Sequence, residues 1–386
     1  MKILSFVVII TVILGIYCGA NYYVFIRGWQ SIPHISWVRY SYTGLFIFLS
    51  FSYLISKAFE HTTFIRFHHT FYWVGSFWFA ALMYFFLSVL IVDLVRLSDL
   101  GLHFLPVKNS LLYIQLKTYS FAGIIVIVSL ILSYGHWNAR HPKIKRLDLR
   151  INKNTGDKNE ITIAMVSDIH LGTLLGKKRI TGMVEQINGL KPDIVLFVGD
   201  VLDEVQTPIF RNDVGGPIRN LKAPLGVYGI TGNHEYIGGI NRSAPYLESL
   251  NIKLIRDTVL LIDNKFYLAG RDDKDVTRFT GKKRKPLNEI LTGINKQIPL
   301  ILLDHQPFRL NEAVENGVDL QLSGHTHHGQ FWPLNLITRK VYEVSWGYKQ
   351  KGNTHFYVSC GYGYWGPPIR IGNTPEIVLI KLMINN

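Results

Sequence analysis

Cysteine is nearly missing from this chain, with two in 386 residues. Cys18 lies in an apolar stretch and Cys360 in a segment that reads as a strand, and no Cys-x-x-Cys pair occurs. A disulfide scaffold and a thiolate metal site are therefore excluded as organising features. Acidic residues are scarce too, 27 against 41 Lys and Arg, for a formal charge of +14. Charge of either sign is thin before about Gly135, where Phe, Tyr, Trp, Ile, Leu and Val dominate; from Trp137 onward the texture is that of a soluble globular protein. Internal repeats are absent, so repeat arrays do not organise the chain.

The net positive charge invites a nucleic-acid reading. Basic residues beside membrane helices, facing anionic lipid, give the simpler account. No basic, aromatic groove suited to a nucleic-acid backbone is visible in the sequence, so nucleic acid is set aside as a partner.

Four apolar stretches, at 3–24, 40–56, 71–95 and 113–134, approach the roughly 20 residues a helix needs to cross a bilayer. Trp29, Trp37, Trp73 and Trp137 fall near their ends, where amphipathic rings favour the interface. Lys2 followed by an apolar run also has the form of a signal peptide; an uncleaved helix is the expectation. Asp93 and Lys117 are expected near an interface. After the fourth stretch come Arg140, Lys143, Lys145, Arg146, Arg150 and Lys153, which place the following domain in the cytoplasm by the positive-inside rule. The expected organisation is a transmembrane region of about four helices at 1–136, a basic juxtamembrane linker at 137–159 and a globular domain at 160–386 of a multi-pass cell-membrane protein.

In the second half, apolar β-branched runs at 161–166, 194–198, 227–230, 300–303, 320–322 and 356–358 predict buried strands, and 177–188 and 309–315 predict connecting helices. This is an α/β pattern around a central sheet. The basic, glycine-containing segment 271–285 predicts a surface loop. Five of the strands end in polar clusters: Ser167-Asp168-Ile169-His170, Gly199-Asp200-Val201-Leu202-Asp203, Gly232-Asn233-His234-Glu235, Asp304-His305, and Ser323-Gly324-His325-Thr326-His327-His328. Ligands of open α/β sheets bind outside the carboxyl ends of the strands, so the five clusters converge on one place. Any one of them is commonplace, a turn or a satisfied histidine. Together they would bury many ionisable groups, which is costly unless a cation neutralises them. Imidazole, carboxylate and amide donors without thiolate suit Zn, Mn, Fe or Ni.

These residues resemble the calcineurin-like metallophosphoesterase superfamily, whose D-x-H, G-D-x-x-D, G-N-H-E, H and G-H-x-H elements stand here as Asp168/His170, Gly199/Asp200/Asp203, Gly232 to Glu235, His305 and Gly324/His325/His327. The tail Gly366-Pro367-Pro368-Ile369-Arg370-Ile371-Gly372 is similar to the ending of the membrane-anchored bacterial branch. The resemblance implies a four-layer α/β/β/α sandwich with two divalent metal ions at one edge. It implies that Asp168, His170, Asp200 and His327 hold one metal, and that Asp200, Asn233, His305 and His325 hold the other, with Asp200 bridging. His234 would then be the leaving-group acid, oriented by Asp203, for which a helix cap is the plainer role. His328, Arg370 and Arg271 are weaker substrate-binding candidates. Anchoring the C-terminal loop is an equal reading of Arg370.

The implied function is a phosphohydrolase cleaving a phosphate ester or phosphoanhydride of a small molecule, a lipid or a lipid-linked compound. The rivals are a phosphodiesterase or nuclease acting on soluble nucleotides or nucleic acid, and a non-catalytic membrane receptor. A receptor on a dead phosphoesterase fold would have lost a ligand, and none is lost here.

Overall fold

The computed structural model describes residues 2–59, 65–153 and 160–385. The chain divides into two units, Met1–Gly135 and His136–Asn386. The first holds α1 (Lys2–Trp29), α2 (Ser36–Phe59), α3 (Ile65–Leu102) and most of α4 (Leu111–Ala139). All four helices are long and apolar enough to cross a membrane. They run past the apolar stretches seen in the sequence, because polar residues at each end continue the helical hydrogen bonding.

Large apolar side chains of this unit point outward, as at Ile16, Tyr22 and Leu130, which are more than half exposed. Polar groups pair inside instead. Asn21 Oδ1 accepts from Ser50 Oγ at 2.7 Å and Trp78 Nε1 at 3.0 Å. Asp93 lies 2.7 Å from Arg27 and 3.3 Å from Arg96, and accepts the Tyr23 hydroxyl at 2.6 Å. Apolar outside and satisfied polar groups inside is the distribution hydrocarbon requires.

In the second unit β1 (Lys143–Asn152) and β2 (Glu160–Val166) precede α5 (Lys177–Gly189), β3 (Ile194–Val198), α6 (Thr207–Arg211), β4 (Val227–Ile230), α7 (Asn233–Ile237), α8 (Ile240–Ser249) and β5 (Lys253–Leu254). Then come β6 (Thr258–Ile262), β7 (Phe266–Gly270), α9 (Val276–Thr280), α10 (Leu287–Ile290), β8 (Leu300–Leu303), α11 (Leu310–Glu315), β9 (Leu320–Ser323), α12 (Leu334–Val341), β10 (Gly347–Lys351), β11 (Thr354–Val358) and β12 (Glu376–Asn385). Two six-stranded mixed sheets result, ordered β1-β12-β2-β3-β4-β5 and β10-β11-β9-β8-β7-β6.

Every strand of β2, β3, β4, β8 and β9 is short and buried on both faces, which is why each reads as a continuous apolar run. One face of each sheet supplies a shared core, with Ile163, Leu196 and Ile230 from the first and Leu268, Leu303 and Leu322 from the second. The outer face of the first sheet packs Val195 and Phe197 on Ile180, Met183 and Ile187 of α5. The outer face of the second packs Leu300 and Phe356 on Leu287, Leu310 and Ala313. Helix, sheet, sheet and helix form the four layers expected.

Two expectations change. Residues 143–152, read as linker from their charge, form β1, which pairs parallel with β12 in the register Leu147↔Ile380 and Ile151↔Ile384. Leu147, Leu149 and Ile151 alternate inward while the charged residues between them face solvent, a period of two that the basic composition masks. Residues 154–159 of the expected linker lie outside the described residues. The segment 271–285 is only partly surface. It begins with buried Arg271, Asp272 and Asp273 and contains α9, because Asp272 accepts from Tyr236 and Arg256 while Asp273 accepts from Gln306.

Candidate metal centre

Strands β2, β3 and β4 of one sheet and β8 and β9 of the other deliver their loops to a common edge. Asp168, His170 and His327 bring their ligand atoms within 4.8 Å of one another, as do Asp200, His305 and His325. In the first group His170 Nε2 faces His327 Nε2 at 3.0 Å, and Asp168 Oδ1 is 3.5 Å from His327 Nε2. In the second, His305 Nε2 is 3.0 Å from Asp200 Oδ2, and His325 Nδ1 is 2.8 Å from Asn233 Oδ1. The same Asp200 Oδ2 lies 3.9 Å from His170 Nε2. One carboxylate oxygen thus faces both groups.

The donor set fits divalent cations. His305 Nδ1 donates to the Val198 carbonyl at 2.7 Å, which turns Nε2 toward Asp200, as the backbone carbonyl partner of a metal-bound imidazole does. That Nε2 faces the Asp200 carboxylate at 3.0 Å without aligned hydrogen-bond geometry, and His170 Nδ1 has no hydrogen-bonding partner. Asp168, His170, Asp200 and His305 are all no more than 2% exposed. Burial drives the Asp168 carboxyl up to about 6, against His305 and helped by Asp200. Burial, with His234 nearby, drives His170 down to about 4. Burial also opposes charge on Asp200 and His305, but their mutual attraction wins, holding Asp200 well below and His305 well above their ordinary ranges. A proton on His305 does there what a cation would do.

The backbone is bent to present these groups. Asp168, His170, Asp200, His325 and His327 all have positive φ, from 46° to 70°, a region that costs non-glycine residues free energy and persists only when the surroundings enforce it. Several contacts do so. The His325 N–H donates to both Asp168 oxygens, at 2.9 and 3.0 Å, and the His234 N–H donates to Asp200 Oδ1 at 2.8 Å. Close approach explains two glycines. A Cβ at Gly324 would collide with Ser167 Oγ and Asp168 Oδ2, and one at Gly232 with Asp200 Oδ1.

Glu235 belongs to the motif, but the sequence suggests no role for it. Its fully buried carboxylate accepts backbone N–H groups from Asp200 at 3.0 Å, Leu202 at 2.8 Å and Gly232 at 2.7 Å. Burial and the neighbouring Asp200 raise its pKa to about 7 despite the N–H donors of Leu202 and Gly232. The available signal was its place three residues into α7, where a glutamate reaches back to the helix start.

His234 Nδ1 lies 3.5 Å from Asp203 Oδ1 and 3.8 Å from Glu204 Oε1, short of hydrogen-bonding geometry. Burial opposes its charge, yet Asp200, Asp203 and Glu204 raise it to about 9. Asp203 Oδ1 also accepts the Glu204 N–H at 2.9 Å, but the next helix begins only at Thr207, so Asp203 is not a helix cap.

The three weaker substrate candidates each make contacts within the fold. Arg370 is fully buried: Gly363 O accepts from Nε and Nη2, Cys360 O and Asn373 Oδ1 accept from Nη1, and Nη2 also lies 3.2 Å from His327 Nδ1. It anchors the C-terminal loop behind His327. His328 is buried with Nδ1 2.9 Å from Ser345 Oγ and its ring against Trp346. Arg271 is held by Asp304 at 3.2 Å and Glu312 at 2.9 Å and lines a separate cavity.

A cavity of about 520 Å³ opens over the centre. Asp200, Glu204, Asn233, His234, His325 and His327 form its polar side, while Ile237, Phe331, Leu334, Ile337, Trp365 and Pro367 dominate the remainder, with Thr326, Gln330 and Thr338 among them.

The profile of the calcineurin-like phosphoesterases matches residues 161–329. An uncharacterized metallophosphoesterase of Helicobacter pylori strain J99 is 30% identical over 395 residues, covering 96% of each chain. Another from H. pylori strain 26695 is 34% identical over 64% of this chain and 65% of that one. The bovine transmembrane protein with metallophosphoesterase domain is 33% identical over 67% of this chain and 61% of that one. The chain thus spans less than two thirds of these last two relatives and nearly all of the first. With the matched segment carrying every loop of the centre, the chain belongs to the calcineurin-like family of metal-dependent phosphoesterases.

Proposed function

We propose that the protein hydrolyses a phosphate ester or phosphoanhydride of a lipid or lipid-linked substrate, with two divalent cations held at the edge of its sandwich. Asp168, His170, Asp200 and His327 would hold one, and Asp200, Asn233, His305 and His325 the other. The observation that carries this reading is the single Asp200 oxygen facing both histidine groups, at 3.0 and 3.9 Å. When bound, such cations supply Lewis-acid charge for the phosphoryl oxygens and a more acidic water.

The chain's own residues do the rest. Asn233 contributes a neutral oxygen, which limits negative charge facing an anionic substrate. Water adds to phosphorus and gives up one proton to solvent, the bond from phosphorus to the departing oxygen breaks, and that oxygen takes the proton of His234, which solvent then restores. Burial opposes charge on that imidazole, while Asp200, Asp203 and Glu204 favour it. The four candidate membrane helices and the basic run after α4 support a multi-pass protein with its catalytic domain in the cytoplasm.

Purified full-length protein with Mn²⁺ is expected to cleave bis-p-nitrophenyl phosphate, and Asp200→Asn to lose both activity and metal. An inactive wild type, or an unaffected Asp200→Asn, rejects the proposal. Protease added to spheroplasts is expected to leave the second unit intact; cleavage there reverses the orientation.

A further inference from the structure

The cavity over the centre has two unlike halves. Its polar half is the metal-binding groups, His234 and the Glu204 carboxylate beside it. Next to His234 stands Trp365, with ring centroids 6.1 Å apart, so whatever the scissile oxygen carries lies beside this indole. From there the wall is Ile237, Leu334 and Ile337.

Gln330, Thr326 and Thr338 on that wall are already occupied, which leaves the Trp365 indole N–H as its side-chain donor. Gln330 donates to the Trp365 and Pro367 carbonyls at 3.0 and 2.8 Å and accepts the Trp365 N–H at 2.8 Å. Thr326 Oγ1 donates to the Ser345 carbonyl at 2.5 Å, and Thr338 Oγ1 to the Asn335 carbonyl at 3.1 Å. Neither lysine nor arginine is among the described lining residues. A base, a sugar or a second phosphate would find few free hydrogen-bonding groups on this wall and no cation. Hydrocarbon loses nothing there, and 520 Å³ is within the size range of a ligand pocket.

The apolar surface continues outward. Ile237, Ile337 and Trp365 on the wall are 41%, 59% and 55% exposed, and Leu336 and Val341 extend the apolar surface along α12 at 50% and 56%. A contiguous exposed apolar surface of this kind marks a binding site. Exposed Arg339 and Lys340 stand on the same short helix, where they favour an anionic lipid surface.

Resting on the hydrolase reading above, we infer that the α12–Trp365 wall is a hydrocarbon-binding subsite. It takes the aliphatic chain of a membrane-resident phosphate ester or anhydride whose phosphate lies against the metal-binding groups. The outer face of α12 is where that chain passes between bilayer and cavity.

The test uses the full-length Mn²⁺-loaded protein in nanodiscs, titrated with dodecylphosphonate and with methylphosphonate, which share the headgroup and differ in the chain. Wild type, Ile337→Asp and Ile337→Leu are compared, so partitioning into the disc cancels between variants. Dodecylphosphonate is expected to bind Ile337→Asp at least about tenfold more weakly than wild type, with Ile337→Leu close to wild type and methylphosphonate alike on all three. Equal dodecylphosphonate affinity across the variants overturns the inference. So does parallel loss of both ligands, which would mean damage to the polar half. A loss that tracks conversion of a dimer to a monomer by mass photometry also overturns it, in favour of a second copy covering α12. Bis-p-nitrophenyl phosphate hydrolysis by the same preparations separates the two readings. Hydrolysis without chain preference rejects the subsite alone, and chain preference without hydrolysis rejects the hydrolase alone.

Discussion

Glu235 Oε2 accepts hydrogen bonds from the backbone N–H groups of Asp200 and Gly232, at 3.0 and 2.7 Å. One buried carboxylate therefore joins the loop after β3, which carries the proposed bridging aspartate, to the loop after β4, which carries Asn233 and His234. The first segment leaves β3 through a left-handed turn at Gly199 and Asp200, and the second enters α7 at Asn233.

Glu235→Ala is expected to leave three buried N–H groups without an acceptor. At about 1–3 kcal/mol for each such group, the loss should exceed about 3 kcal/mol in chemical denaturation. Metal affinity should fall about ten- to hundredfold, as for other residues that orient ligands. Unchanged metal binding would show that the loops hold their shape without it.

The charge on His234 sets a pH limit. Burial lowers its pKa, but Asp200, Asp203 and Glu204 raise it to about 9, so the proton is present below that pH and lost as pH rises through it. Activity that needs this proton declines on the alkaline side. Asp203→Asn removes one of the carboxylates and should move the alkaline limb of kcat/KM to lower pH. His234→Ala should cost about 100- to 10,000-fold and abolish the limb. Bound cations shift both profiles the same way and leave the displacement between them. A limb that stays in place in Asp203→Asn would reduce Asp203 to capping its turn.

Chelation should destabilise the protein in a pH-dependent way. Burial raises the Asp168 carboxyl to about 6 in the absence of a cation, so the metal-free fold prefers it protonated. Its contribution to stability is lost as pH rises from the unfolded value near 4 through 6. A cation reverses that preference, so the rise in Tm on adding Mn²⁺ should be larger at pH 7.5 than at pH 5. Differential scanning calorimetry with and without EDTA measures it, and a pH-independent increment would contradict metal binding through Asp168.

Gly324→Ala places a methyl against Ser167 Oγ and Asp168 Oδ2. Because Asp168 also holds the His325 N–H, displacement should propagate to both proposed metal positions. The expected result is lower metal stoichiometry by plasma mass spectrometry with the far-ultraviolet circular dichroism preserved. Full metal loading would show that the loop yields without disturbing the ligands.

Much of this protein is determined by its sequence locally. The strands that carry the centre are four to seven residues long and buried on both faces, so they appear as unbroken apolar runs, and each ligand follows within a few residues. Membrane helices are legible for a similar reason, since hydrocarbon demands an apolar stretch of about 20 residues wherever the helix packs. The tertiary structure decided what depends on distant partners. Residues 143–152 form a strand only because β12, more than 200 residues later, supplies the hydrogen bonds and the core that accepts Leu149 and Ile151. Arg370 became an anchor because carbonyls of Cys360 and Gly363 surround it, and Glu235 acquired a role because two loops end within its reach. The apolar wall beside His234 assembles from α7, α12 and Trp365. No local pattern announces such a wall, because its residues are neighbours only after the two sheets have packed.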